Sequence, residues 1–414
     1  MIPGQWRVIE YGGRTALERL EADWRRLYAS MPLRSSAHLY EAHLAYYRHL
    51  MASPDSFRCL ALTDGERVRA ICPLVARQEK ALGIPIPAWV IPRHLLTPIA
   101  DVICPEDDAR RVLLPAIVSH LKRERCRERL ITLGPLPQES VLWEGLRSLG
   151  TDACCTHVAS TPFVFDCEQP FPDLMRRLSK GFRKQLRNCR NRLTRLADVR
   201  FETAADDGAL AAAFDTFLDV EASGWKGATG TRTAIRFKAS QPAFFRQLAS
   251  TFGCGDRCEI NALFAEGHCI AAEFCIRTGE EYSCAKIGYD ERYARLSPGH
   301  LLHARTLERC CLDPEIKRYN QISHAAWLDV WHPDGLVLQQ VHVGLGRWSA
   351  MPLTALLRFR FGRGRATARW VHHNFGGWRR ASSGMAPRAS SAPSPRARKG
   401  SSAAREHSGG LTPK

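Results

Sequence analysis

The stretch EINALFAEGHCIAAEFCIRTGEEYSCAKIGYD, residues 259–290, contains three apolar segments with short polar turns between them. Each segment has a length typical of one strand, and Glu266-Gly267 is a dipeptide typical of a tight turn. The stretch therefore predicts an antiparallel meander of three strands at the centre of the second half of the chain.

Further helices and strands are predicted on both sides of this meander. In chain order they are helices over about 171–196, 206–224 and 241–251, a helix that begins at Ser297, and a last pair of strands around 318–322 and 336–343. Helices thus precede the meander, and a helix and a strand follow it. This order predicts an α/β (α+β) domain, which consists of a mixed, largely antiparallel sheet flanked by helices.

The first half of the chain repeats this plan. Its predicted elements are helices over 17–30 and 38–50, a hairpin over 57–76, a strand near 96–103, a helix over 106–124 and a strand at 130–134. The shared order predicts a duplicated unit of roughly 150 to 180 residues, although the two halves have little identity. We therefore expect domains at 1–165 and 166–355.

Composition is that of an ordinary folded protein, with 45% hydrophobic and 24% charged residues among 414. We find no apolar run of 18 residues and no signal-peptide pattern at the start, so we expect a cytoplasmic location. The 15 cysteines are scattered and are expected to be free thiols. Cys254, Cys258, His268 and Cys269 come closest to a zinc cluster but lack a second ligand pair, so no metal is expected.

Positive charge is concentrated at the end of the chain. Residues 356–414 contain thirteen Lys and Arg and one acid, Glu406, so +12 of the net charge of +17 lies there. This tail is rich in Ser, Ala, Pro and Gly and is expected to be largely disordered. Aromatic residues between its arginines would also suit docking on a membrane surface, or a short helix packed on the body of the protein.

A second basic segment is MRRLSKGFRKQLRNCRNRLTRL, residues 175–196, with nine Lys and Arg and no acid. Its helical spacing puts basic residues on one face and Leu178, Phe182, Leu186, Cys189 and Leu193 on another. The basic face is explained equally well by simple solvation and by contact with a phosphorylated substrate or RNA.

Glu221 begins the stretch EASGWKGATGT, residues 221–231. The apolar positions Leu210, Phe214, Phe217 and Leu218 lie on one helical stripe, and the same spacing continues to Glu221. A carboxylate on that stripe must be paired, for instance with an arginine of the preceding basic helix, or must hold or deprotonate an amine. Gly227 and Gly230 end the helix.

A possible anion site lies at LSPGHLL, residues 296–302. Ser297 suits a helix N-cap, Pro298 suits the first helical position, and Gly299 allows close approach to the backbone. The N–H groups of Gly299 and His300 would then be free to bind phosphate, helped by Arg295, although simple helix capping explains the same residues.

Four segments of the second half form a distinctive combination. In chain order they are SKGFRKQLRNCRNRL (179–193), EASGWKGATGT (221–231), residues 271–302 and YNQISHAAWLDVWHP (319–333). They resemble bacterial GNAT-type acetyltransferases of the CelD/BcsL kind, which are associated with cellulose biosynthesis and related to FemAB-like aminoacyl transferases. The resemblance covers about residues 1–350 and is strongest over 171–335. It implies two tandem GNAT-like domains and acetyl-CoA or another acyl-CoA as co-substrate.

Site residues follow from this resemblance by position. The family's segments fall on Glu221, Ser223, Trp225, Lys226 and Gly227, then on Lys286, Tyr289, Asp290, Ser297, Pro298 and Gly299. Near the end, the family commonly has Gly, Tyr-Lys and Trp, whereas this chain has Ser323, Trp327, Leu328 and Trp331, so the resemblance implies no lysine contact at position 328.

The function implied is transfer of an acyl group to an amine or hydroxyl acceptor, such as a small molecule or a saccharide or peptidoglycan precursor. Glu221, Asp290 or His324 would act as base and Tyr289 as acid, with Arg295, Ser297, Gly299 and His300 on the donor. Trp225, Lys226, Lys286 and Trp327 would bind the acceptor. Two alternative functions remain. One is an aminoacyl transferase that uses charged tRNA, and the other is a non-catalytic module that binds a polyanion or a partner. In either case helix 175–196 and tail 356–414 would contact tRNA or an anionic membrane.

Overall fold

The computed structural model describes residues 6–81, 83–105, 107–124, 127–149, 154–224, 226–250, 257–345 and 357. All of them belong to one compact unit, Met1–Arg369. The predicted tail, 356–414, lies outside the described residues apart from Leu357, and so does Trp225.

The described residues form two mixed sheets with helices around them. The helices are α1 Gly13–Ala29, α2 Tyr40–Ala45, α3 Asp107–Arg123, α4 Leu142–Ser148, α5 Phe171–Arg177, α6 Lys180–Leu196, α7 Asp207–Ser223, α8 Gln241–Ala249 and α9 Pro298–Leu312. The strands of the first half are β1 Arg7–Gly12, β2 Phe57–Thr63, β3 Val68–Ala81, β4 Ile84–Val90, β5 Leu130–Leu136 and β6 Cys154–Ser160. The remaining strands are β7 Phe163–Asp166, β8 Val199–Ala204, β9 Arg257–Ala265, β10 His268–Thr278, β11 Glu281–Tyr289, β12 Arg318–Asn320, β13 Asp334–Gly335 and β14 Leu338–Gly344.

Each sheet has seven strands, in the orders β1-β2-β3-β4-β5-β14-β6 and β13-β7-β12-β11-β10-β9-β8. Neighbours are antiparallel except for one parallel pair in each sheet, β4 with β5 and β11 with β12. The predicted meander is confirmed as β9, β10 and β11. The predicted fold class, two tandem mixed sheets flanked by helices, is confirmed as well.

The two halves exchange strands. β14, near the end of the second half, lies between β5 and β6 of the first sheet, whereas β7 lies between β12 and β13 of the second. The predicted pairing of 318–322 with 336–343 is therefore wrong, because β12 pairs with β11 and β7 while β14 pairs with β5 and β6.

The strand predicted near 96–103 is also wrong. Within that segment Ile103 makes one isolated bridge, to Ile71, and the strand beside β3 is β4. β4 contains Pro85 and Pro87, which are uncommon inside a sheet because proline donates no hydrogen bond. Both prolines precede Ala88, where pairing with β5 begins, so their missing N–H groups are not needed on that side.

The helix predicted over 171–196 is two helices, α5 and α6, separated at Leu178 and Ser179. Ser179 caps α6, because its Oγ accepts a hydrogen bond from the N–H of Phe182 at 3.1 Å. α6 and α9 cover one face of the second sheet, and α7 and α8 cover the other, where they pack around Phe274. None of the described helices is both long and apolar enough to cross a membrane.

Candidate active site

β11 and β12 diverge near the middle of the second sheet. They pair over three residues only, from Glu281 with Arg318 to Ser283 with Asn320, while β11 continues to Tyr289. Among the described residues no strand pairs with this outer edge of β11 beyond Ser283. The space between residues 284–289 and the chain that follows Asn320, here called the wedge, therefore lies beside a strand edge that none of the described strands covers.

A β-bulge lies at the start of the wedge. Phe274 of β10 pairs with Lys286 and Cys275 pairs with Cys284, so Ala285 is an extra residue in β11. Cys284 therefore packs on the α9 side of the sheet, whereas Ala285 belongs to the cluster on the α7 side. Bulges of this kind redirect side chains and are frequent next to active sites.

Glu221, on the last turn of α7, is buried at this edge, as its helical spacing predicts. Its Oε2 accepts a hydrogen bond from the N–H of Ile235 at 2.7 Å, and its Oε1 lies 3.6 Å from Nζ of Lys226. The suggested partner, an arginine of the basic helix, is wrong, because the cation beside Glu221 is Lys226.

Lys226 reaches the free edge of β11. Its Nζ donates a hydrogen bond to the carbonyl oxygen of Ile287 at 2.7 Å. Burial lowers the pKa of Lys226, the charge of Glu221 opposes that change, and the charge of nearby Lys286 adds to it. An ammonium group is thus held on the strand edge together with a buried carboxylate.

Glycines allow α7 to approach β11 this closely. A Cβ at Gly288 would lie 2.6 Å from Cα of Glu221, and a Cβ at Gly227 would lie 2.1 Å from the carbonyl oxygen of Ala222. The N–H of Gly227 also donates to the carbonyl oxygen of Gly224 at 2.7 Å. The end of α7 and the loop that carries Lys226 are therefore fixed against the strand.

The first turn of α9 follows β11 after a short 3-10 helix, Glu291–Leu296. Pro298 occupies the first helical position, but Ser297 is left-handed, with φ 50°, and its side chain makes no capping hydrogen bond. The predicted capping role of this hydroxyl is thus wrong; it accepts a weak hydrogen bond from Sγ of Cys189 at 3.8 Å instead. The N–H of Leu301 donates to the carbonyl oxygen of Ser297, so those of Gly299 and His300 precede the helix's own hydrogen bonds.

Tyr289 ends β11, and Asp290 is the residue that follows it. The ring of Tyr289 lies beside the first turn of α9, since a Cβ at Gly299 would be 3.5 Å from its Cδ1. Burial, and to a lesser degree Glu291, raises the pKa of this half-buried phenol. The carboxylate of Asp290 accepts two hydrogen bonds from Nε and one from Nη2 of Arg292, which lower its pKa.

An aromatic cluster covers the start of α9. Nδ1 of His300 accepts a hydrogen bond from Nε1 of Trp331 at 3.0 Å, and the ring of Trp327 lies 5.3 Å from that of His300. Burial lowers the pKa of His300 to about 4, so its ring is neutral at pH 7. Leu328 is buried beside this cluster.

The remaining sequence-predicted residues lie at the margin. Arg295 is exposed on the 3-10 helix before α9. The ring of His324 lies 4.0 Å from that of Phe163, and its Nε2 lies 3.9 Å from Oδ1 of Asp329. Hence the structure brings together Glu221, Lys226 and Lys286 at the end of β11. Tyr289, the last residue of that strand, lies beside Gly299 of α9. His324 contacts Phe163 and Asp329 instead.

His303 and Gln321 are two buried polar residues that sequence reasoning missed. His303 lies on α9 with its ring stacked 5.4 Å from that of Tyr319, and Gln321 follows the last residue of β12. The available signal for His303 was a polar residue between Leu302 and Ala304, as for Glu221, whereas Gln321 stands next to Asn320, whose polarity hides that signal.

Comparison with known proteins places this geometry in a known fold. Residues 180–321 match a family model described as "Acetyltransferase (GNAT) domain". The structure resembles that of FemX, with a TM-score of 0.52 at 9% identity, covering 77% of this chain and 95% of the other. The match confirms a GNAT-type acyltransferase domain, and the resemblance to FemX shows a shared fold.

Two further solved structures are similar at lower scores. One is a tandem GNAT protein from the clavulanic acid biosynthesis pathway, with a TM-score of 0.42, 11% identity and coverage of 82% of this chain and 99% of that one. The other is the C-terminal domain of a putative lysylphosphatidylglycerol synthetase from Agrobacterium fabrum, with a TM-score of 0.48, 11% identity and coverage of 83% and 96%. The search of curated proteins found no match.

Proposed function

We propose that this protein, an acyltransferase of GNAT type in residues 180–321, moves an acyl group from acyl-CoA to an amine or hydroxyl acceptor in the wedge. The observation that carries the proposal is the pairing of buried Glu221 with partly buried Lys226 at the free edge of β11. A helix N-terminus suits the phosphates of a thioester donor, and a carboxylate at the neighbouring strand edge suits a general base for acyl transfer.

The donor would be held by the first turn of α9. The N–H groups of Gly299 and His300 lie at the positive end of the helix dipole, which favours the pyrophosphate of coenzyme A. Arg295 and the hydroxyl of Ser297 lie on the same segment, and the absence of a side chain at Gly299 leaves room for close approach. From there the pantetheine arm extends along β11 and its thioester enters the wedge.

The acceptor would enter beside Lys226, with Trp225, Lys286 and Trp327 as further contacts. In the transfer, the acceptor nitrogen or oxygen forms a bond to the thioester carbon while the bond from that carbon to sulfur breaks. Glu221 takes the proton of the acceptor, and Tyr289, whose raised pKa keeps it protonated at pH 7, returns a proton to the thiolate. Asp290 is a weaker candidate base because Arg292 holds its carboxylate and lowers its pKa.

The test is the variant Glu221→Gln, assayed by release of the coenzyme A thiol with a panel of amine and hydroxyl acceptors. We expect turnover to fall by about 10² to 10⁴ while the dissociation constant of acyl-CoA stays unchanged, because a general base contributes about that much. Asp219→Asn is the matched control, since Asp219 is an exposed acid on the same helix, 68% accessible and paired with Arg236. Unchanged turnover of Glu221→Gln across pH would remove Glu221 from the mechanism.

The acceptor and cellular role follow from the resemblance rather than from the site. A saccharide or peptidoglycan precursor, in cellulose or cell-envelope metabolism, is the acceptor class that the CelD/BcsL resemblance favours. A cytoplasmic or membrane-peripheral location would fit both the donor and such acceptors. Assaying soluble and membrane-extracted glycan precursors as acceptors tests this assignment.

The second candidate is an aminoacyl transferase that uses charged tRNA, or a polyanion-binding module, and α6 favours it. The Lys and Arg side chains of α6 form no ion pair with any acid of the described residues, although α6 packs on the segment before α9. An unpaired basic face beside a donor site suits a larger phosphate-bearing donor or an anionic membrane. Turnover that depends on charged tRNA and ignores acyl-CoA would support this candidate.

A further inference from the structure

The register of β10 and β11 brings two thiols and one carboxyl group together on the α9 side of the second sheet. Glu273 and Cys275 are two residues apart on β10 and therefore share a face, and Cys275 pairs with Cys284 of β11. The β-bulge turns Cys284 to this face as well. A carboxylate oxygen of Glu273 and the two Sγ atoms all lie within 4.8 Å of one another, and all three residues are buried.

The spacing of these three groups suits a zinc ion. Zinc takes thiolate sulfur at about 2.3 Å and carboxylate oxygen at about 2.0 Å in tetrahedral geometry, which separates sulfur from oxygen by roughly 3.5 Å. Sγ of Cys284 lies 3.6 Å from Oε2 of Glu273. The hydroxyl of Tyr319 lies 3.2 Å from the same oxygen and hydrogen-bonds to Cys284, so it is placed to serve as a fourth ligand.

The other carboxylate oxygen of Glu273 is held in place from outside the group. Oε1 accepts a hydrogen bond from Nδ2 of Asn261 at 3.0 Å and another from the hydroxyl of Thr306. Nδ2 of Asn261 also lies 3.7 Å from Sγ of Cys275. Metal ligands in proteins are commonly oriented by partners of this kind, and here they leave Oε2 directed at the thiols.

The charges around Glu273 suit a bound cation. Among the described residues no Lys or Arg forms an ion pair with Glu273; burial raises the pKa of its carboxyl group, whereas its hydrogen bonds and the charge of nearby Arg309 oppose this change. Arg257 and Arg309 share one acid, Glu259, so one positive charge remains at this end of the group. A zinc ion with two thiolates and one carboxylate carries one negative charge, which that remaining positive charge balances.

We propose that Cys275, Cys284 and Glu273 bind a structural Zn²⁺ ion that joins β10 to β11 at the bulge. Two thiolates favour Zn²⁺ over Mg²⁺ or Ca²⁺, which prefer oxygen ligands. Two Zn–S bonds and one Zn–O bond form, and the protons of both thiols pass to solvent. The site goes beyond the proposed function, because no step of acyl transfer uses the ion.

The experiment measures the zinc content of the full-length protein, expressed in zinc-supplemented medium and purified without a chelator, by mass spectrometry of the metal. We expect about one ion per chain in the wild type and none in Cys284→Ala. Glu273→Gln keeps the size of the side chain and its hydrogen bonds to Asn261 and Thr306, so it should fold, but it should bind zinc at least about tenfold more weakly. A strong chelator should lower the urea midpoint of the wild type and leave that of Glu273→Gln unchanged.

Cys258→Ala is the matched control. Cys258 is a buried thiol on β9 of the same sheet, but it belongs to the cluster on the α7 side. This variant should retain the ion. A wild-type protein without zinc would overturn the inference and mean that hydrogen bonds alone hold the three groups together. Equal zinc in the wild type and in Cys284→Ala would overturn it as well, because the ion would then lie elsewhere. Neither result depends on acyl-CoA or on turnover, so failure of the proposed function would be seen separately.

Discussion

Gly288 is the residue at which β11 passes closest to α7, and it provides a direct test of how the site is held. A Cβ there would lie 2.6 Å from Cα of Glu221 and 3.1 Å from its N and Cβ. Carbon atoms in contact are normally about 3.5 to 4.0 Å apart, so Gly288→Ala requires strand and helix to separate by roughly 1 Å. Relaxation is costly, because the opposing atoms belong to the backbone or lie next to it.

The expected effect of Gly288→Ala has two parts. Overpacking of this kind costs about 1 to 3 kcal/mol of unfolding free energy. A displacement of about 1 Å between Glu221 and the strand edge would also lower turnover by on the order of 10²-fold, because catalysis depends on positioning. Gly208→Ala is the control, because a Cβ at Gly208, near the start of α7, meets no atom within 4 Å. It should leave both quantities near the wild-type values.

Urea unfolding followed by tryptophan fluorescence gives the stability, and release of the coenzyme A thiol gives the turnover. A Gly288→Ala protein as stable and as active as the Gly208→Ala protein would refute the reasoning. The close approach of α7 to β11 would then have no part in placing Glu221.

Two other predictions concern stability. Ser179→Ala removes the side-chain cap of α6 and should lower the unfolding free energy by about 0.5 to 2 kcal/mol in urea titrations, whereas an unchanged midpoint would contradict the capping role. In the first half, burial lowers the pKa values of His38 and His43 to about 4 from 6.5. The unfolded state therefore binds protons that the folded state excludes, so stability should be full above about pH 6.5 and decrease as the pH falls toward 4. Urea midpoints that stay constant from pH 7 to pH 4.5 would show that these histidines do not titrate in this way.

Local patterns predicted the order of elements well. The strands β9 to β11 were identified correctly because consecutive strands joined by tight turns pair with each other, and turn residues are visible in the sequence. The pairing of β14 with β5 and β6 leaves no local signal, because it joins segments far apart in the chain. β4 was missed because it contains Pro85 and Pro87, which lie opposite β3 and precede the part of the strand that pairs with β5.

The candidate site was accessible to sequence reasoning only in part. Glu221 stood out because it interrupts an apolar helical stripe, and its burial follows from that position. Its partner, Lys226, could not be identified in the same way. The hydrogen bond from Lys226 to Ile287 joins a loop to the edge of β11, and that edge is uncovered only because β12 stops pairing with β11 after Asn320. Gln321 lies in a polar sequence context, so its burial depends entirely on tertiary packing.

The exchange of strands determines when each half can complete its fold during synthesis. The first sheet lacks β14, which lies between β5 and β6, until translation has passed Gly344. The facing edges of β5 and β6 therefore stay unpaired while the second half is being synthesised. A nascent chain in this condition is a natural client for chaperones, and a gene divided after β6 would yield an incomplete first half. Each sheet is therefore complete only when both halves of the chain are present, even though the fold repeats.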